Sequence, residues 1–177
     1  MKTIFSITSL ALILHLFGCD ILNKSDPQPL TELQKLPNAT QTGQNTLGCL
    51  INGKAYVAAS TVDVIAIYQL GVLQLGSDSF DPYQSVGFHL YEKNNVPLST
   101  LTYALNNPPS YGASSYRLSG GNLGPLCTTW AYSGSVTFTK IDRTKFIISG
   151  TFEFNSASPG CDTLKISNGR FDISYIP

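Results

Sequence analysis

The sequence predicts an all-β domain, an antiparallel sandwich or flattened barrel of about nine or ten strands. Charged residues make up only 12% of the chain while Ser, Thr, Asn, Gly and Tyr abound, a palette of polar, hydroxyl-rich strand faces and not of helices. Short apolar runs also alternate with a period of two, and the segments between them carry Asn-Gly, Pro and Gly. The chain has 177 residues, enough for one domain with a real core.

Residues 1–18 read as a signal peptide. Lys2 and the amino terminus precede an apolar run from Ile4 to Phe17, too short and too N-terminal for a membrane-spanning helix. The run closes in Leu16-Phe17-Gly18-Cys19, a lipobox with a small residue before the cut and a cysteine after it. Cys19 is therefore expected to become a diacylglycerol thioether with an acylated amine. The alternative is an ordinary signal with an incidental cysteine. Each buried methylene contributes about 0.8 kcal/mol, so two or three acyl chains anchor stably where one would not. The expected partner is the membrane, through this anchor.

Eleven basic residues balance eleven acidic ones with no like-charge block, so nothing points to nucleic acid or to a polybasic membrane patch. Once Cys19 is lipidated, Cys49, Cys127 and Cys161 remain, in a compartment that permits disulfides. Cys127 with Cys161 is the favoured pair, because a hairpin between them returns both strands to one end of a sheet. Cys49 is then a buried thiol; a pair involving Cys49, or no disulfide, are the alternatives.

In chain order, residues 19–46 are polar and broken by proline and read as a flexible tether. About 27 coil residues give an r.m.s. span of roughly 30 Å. Leu30, Leu33 and Leu36 share a face of one or two helical turns too short to be stable alone. The domain, residues 47–177, opens with Leu47–Ile51 and Lys54–Ala58 around Asn52-Gly53. That dipeptide is the strongest short hairpin signal, since both central residues of a type I′ turn need positive φ; tight pairing sets Cys49 opposite Tyr56. Thr61–Leu70, Val72–Leu75 and Ser85–Tyr91 alternate as strands, the last with Val86, Phe88 and Leu90 on one face and His89 on the other. Thr102–Leu105 and Ala113–Leu118 are shorter candidates, separated by a Pro-rich loop, and Ser119–Pro125 is a Gly-rich loop. Gly134–Ile141 and Lys145–Phe154 form the core hairpin: Val136 and Phe138 share one face, and Phe146, Ile148, Phe152 and Phe154 share the face of the return. Gly150 interrupts that face and suggests a bend or a close crossing. The last run changes phase at Asn168-Gly169, through a hairpin or a bulge. A bulge is preferred, because it keeps one long strand as partner for Lys145–Asn155.

Two stretches, Leu36 to Ala55 with its Gly-Cys-Leu-Ile-Asn-Gly-Lys core, and Ile148-Ser-Gly-Thr-Phe-Glu-Phe with Gly169-Arg-Phe-Asp, resemble a family of small Bacteroidota lipoproteins of unknown function. The resemblance implies an outer-membrane-associated lipoprotein of the cell envelope without a known activity. Asn38, Leu47 and Tyr56 depart conservatively from that pattern, and residues 60 to 130 carry none of it. Asp162-Thr163-Leu164 resembles a short O-glycosylation signal of the same group, a tripeptide that recurs by chance.

Catalysis needs converging groups, and beyond the signal the chain has one histidine, His89. No zinc spacing, Cys-x-x-Cys, Gly-x-Ser-x-Gly or phosphate-cradling glycine motif is present, so no catalytic residue, metal or cofactor is expected. A Cys49 and His89 pair is the residual hydrolase reading. Asp78 and Asp81 read as a polar turn and not a calcium loop. Tyr111, Tyr116, Arg117 and Trp130, with Tyr132, form the candidate ligand site. Strand aromatics usually face a core; exposed, these would stack on sugars or anchor a protein partner. The expectation is a non-enzymatic binding or assembly component, with a glycan or small-ligand module as the alternative.

Overall fold

The structure, a computed structural model, describes residues 28–58, 62–79, 84–105, 111–117 and 127–177, with backbone alone at 78, 79, 84, 111–117 and 127. The signal, Cys19, Asp81 and the loops at 106–110 and 118–126 lie outside the described residues. A 3-10 helix, Glu32–Lys35, precedes ten strands: β1 (Thr46–Ile51), β2 (Lys54–Val57), β3 (Val64–Gln69), β4 (Val72–Ser79), β5 (Gln84–Tyr91), β6 (Thr102–Ala104), β7 (Tyr111–Arg117), β8 (Cys127–Asp142), β9 (Ile147–Ala157) and β10 (Leu164–Ser174). The fold is all-β. Neighbouring strands run antiparallel in the order β2-β1-β10-β9-β8-β7-β5-β4-β3, and β6 joins β8 beyond the end of β7.

Turn chemistry sets the registers. Asn52 and Gly53 take φ of 49° and 82°, the type I′ pair that places Ile51 opposite Lys54 and Cys49 opposite Tyr56. The β3–β4 turn has the same backbone, but its first residue is Leu70, at φ 50°. The phase change at Asn168 is a bulge: β10 continues through it, with its register against both β9 and β1 slipping there. At Gly150 a Cβ would lie 2.8 Å from the Phe171 ring, so the glycine admits the ring that crosses it. Phe146 departs from expectation. It sits in the β8–β9 turn at φ 55°, half-exposed and edge-on to Tyr175 at 5.7 Å. The inward face of β9 therefore begins at Ile148.

The sheet curls until its two walls share a core. Phe88 on β5 meets Phe152 on β9 and Phe171 on β10 at centroid distances of 5.6 and 5.9 Å, within the range of favourable aromatic pairing. The ends of the strand order also approach one another. Beyond β10, Ile176 exchanges backbone hydrogen bonds with β3, Tyr68 N–H to its carbonyl and its own N–H to Ala66 O, and Tyr56 on β2 hydrogen-bonds Ser77 on β4. The result is a flattened barrel whose end strands, β2 and β3, are bridged at these points and not paired along their length.

The flexible tether expected for residues 19–46 is corrected over its described part. Residues 28–46 are a docked strap on the outer wall of β1, β2 and β10. Thr31 and Gln34 form a capping box, Glu32 accepts from Ala55 N–H at 2.7 Å, and Leu36 is buried. Pro37 packs on Gly48, where a Cβ would come within 2.5 Å. The strap holds because its polar groups find partners on the sheet, which composition alone does not reveal.

Candidate functional site

On the outer face of β4 and β5, adjacent glycines stand where a sheet normally carries side chains. Across the strands, Ile65 stands opposite Gly76, Gly76 opposite Gly87, Gly87 opposite Ser114 and Ser114 opposite Trp130. The neighbouring row is Ile67, Gln74, His89 and Gly112. Backbone thus floors a trough of about 390 Å³, with Ile65 and Ile67 along one side and Gln74 and His89 on its floor row. Its glycines also let the strands approach closely: a Cβ on Gly87 would stand 2.8 Å from Leu75 O and 3.0 Å from the Gly76 Cα.

Ile65 and Trp130 lie four strand spacings apart, roughly 19 Å. Trp130 and Tyr132 are 48% and 57% exposed; these rings face solvent and not the core. Ile65, at 54%, extends the apolar rim. His89 is half-buried with Tyr91 edge-on at 5.5 Å, and desolvation lowers its pKa. It is therefore neutral at pH 7, with one nitrogen donating and the other accepting.

Of the other predicted site residues, Tyr111, Tyr116 and Arg117 are placed by backbone only; in register, Tyr111 is opposite Leu90, Tyr116 opposite Ser85 and Arg117 opposite Gln84. Cys49 is buried, opposite Tyr56, and burial pushes its thiol up to about 12. It lies in the core while His89 lies on the outer face, so the two are not brought together. Cys161 is disulfide-bonded and Cys49 is free; the Cys127 side chain lies outside the described residues, as does that of Asp78. The pairing of Trp130 with Ala157 brings the start of β8 to the end of the sheet where Cys161 follows β9. Thr163 is exposed just before β10. No group of three metal-ligating side chains occurs among the described residues.

Sequence reasoning missed a second constellation, under the strap. Asp172, 1% exposed, accepts from Thr40 Oγ1 at 2.6 Å, from the backbone N–H of Thr42, Gly43 and Gln44 at 3.0, 2.8 and 3.2 Å, and from Ser149 Oγ at 2.7 Å. Burial alone would raise its pKa, but these donors outweigh it and hold the carboxyl at about 2. Arg170 donates to Pro37 O at 3.1 Å and Lys140 to Gln41 O at 2.9 Å. This is a clasp with its donors already engaged. Beside it runs a groove of about 490 Å³ lined by Thr137, Thr151, Phe152, Glu153 and Arg170. It is the larger of the two concavities. The signal for the clasp was the run of Thr, Gly, Gln and Asn before β1, rich in donors, together with an aspartate between Phe171 and Ile173.

Compared with protein-family models, curated proteins and solved structures, the chain has no significant match in any of the three.

Proposed function

We propose that this protein is a lipid-anchored, non-enzymatic binding module of the cell envelope, held at the outer membrane by Cys19, and that it takes a glycan or similar ring-shaped ligand along its outer trough. The observation that carries the reading is the glycine-floored trough with exposed Trp130 in the same register row. A bare backbone floor lets a flat ring lie close, isoleucines give it apolar cover, and neutral His89 with Gln74 offers both donors and acceptors to hydroxyls. Anchoring rests on the lipobox, and the absence of a catalytic role is part of the proposal.

Trp130 is the only tryptophan in the chain, so its fluorescence reports on this wall directly. Titration with a panel of soluble envelope oligosaccharides should give saturable shifts that Gly87→Val abolishes, and calorimetry, which needs no tryptophan, should find weaker binding in Trp130→Phe. Saturable binding unchanged by Gly87→Val would contradict the assignment of the trough.

A further inference from the structure

The strap gives the barrel a direction. Glu32 meets Ala55 on β2, Pro37 covers Gly48, Gly43 reaches Asp172, and Asn45 Oδ1 accepts from Ser174 N–H at 2.8 Å. The strap therefore runs alongside β10 in the same direction and enters from the β1–β2 turn end. Only residues 20–27 separate Cys19 from the first described residue, Gln28. From Cys19 to Gln28 the chain reaches about 30 Å when fully extended, and its r.m.s. span is nearer 16 Å. β10 alone, with its eleven residues, is about 36 Å long. Such a leash keeps the strap wall next to whatever holds Cys19.

The surface at that entry has the chemistry of a lipid interface. Leu30 and Leu33 are 60% and 47% exposed, although Leu36 beside them is buried. Lys54 and Lys165 flank the Asn52-Gly53 turn and are exposed. Exposed leucines beside lysines suit the boundary between acyl chains and anionic headgroups. The trough lies on the other wall, since Phe88 of β5 faces Phe171 of β10 across the core.

We propose that the strap wall rests on the bilayer through Leu30, Leu33, Lys54 and Lys165, presenting the trough away from the membrane. This rests on the lipidation of Cys19. The test uses the acylated full-length protein in vesicles of phosphatidylethanolamine and phosphatidylglycerol containing a nitroxide-headgroup lipid, with a fluorophore on Asn38→Cys or Gln74→Cys; Cys49 is buried and escapes the label. Flotation is scored first. Floating protein with Asn38→Cys quenched several-fold more than Gln74→Cys is expected, and the difference should shrink in Leu30→Ser/Leu33→Ser and in Asp172→Asn, whose circular dichroism confirms a retained sheet. Floating protein with equal quenching, or more at Gln74→Cys, overturns the orientation alone. Failure to float overturns the anchor, and the orientation with it.

Discussion

Asp172 shows how one side chain decides whether a segment is tether or domain. Its folded pKa of about 2 lies below the ordinary carboxylate value of about 3.9. The sign follows: the clasp contributes fully above about pH 4, and the contribution is lost as pH falls toward 2. By linkage it amounts to roughly 2.6 kcal/mol. Asp172→Asn should lower unfolding stability at pH 7 by about that amount and flatten the acid limb of the stability curve, measured by urea titration across pH. Cys49 gives the opposite case, a group silenced by burial. Its thiol should ignore a maleimide probe at pH 8 in the native protein and react only on unfolding. Cys49 was legible as core from its place in a tight hairpin. The clasp was not, because a polar run reads as solvated unless the buried acceptor that organises it is known.

Among the elements, the hairpins were legible because Asn-Gly and alternating apolar residues specify register locally. The β3–β4 turn departs from that economy by placing Leu70 in left-handed backbone, fully exposed. Leu70→Asn should therefore stabilise the protein by about 1 kcal/mol in urea denaturation. Phe171 represents the reverse, a long-range dependence: it spans Gly150 and meets Phe88, Phe138 and Phe152. Phe171→Ala should cost about 3–5 kcal/mol by the same measurement. Phe146 was misplaced by alternation because the turn takes its residue from the apparent start of the return strand. We also expect Cys127 as the partner of Cys161, so that non-reduced proteolysis releases one linked peptide containing both.

For the whole molecule, strand alternation revealed the all-β class, while closure into a barrel did not come from any local pattern. It depends on Ile176 reaching β3 and on Tyr56 reaching β4, contacts between residues far apart in sequence. The trough is equally non-local: Gly76 and Gly87 look like weak points in two separate strands until their register makes one floor. Trp130 illustrates the limit, since an aromatic at a strand position faces core or solvent according to a register that only the folded sheet supplies. The proposed lipid anchor is tested by the intact mass of the protein from membranes of its native host, alongside the fractionation of Cys19→Ala. The native chain should begin at an acylated Cys19, and the variant should leave the membrane fraction. An unmodified, soluble chain would contradict the anchor.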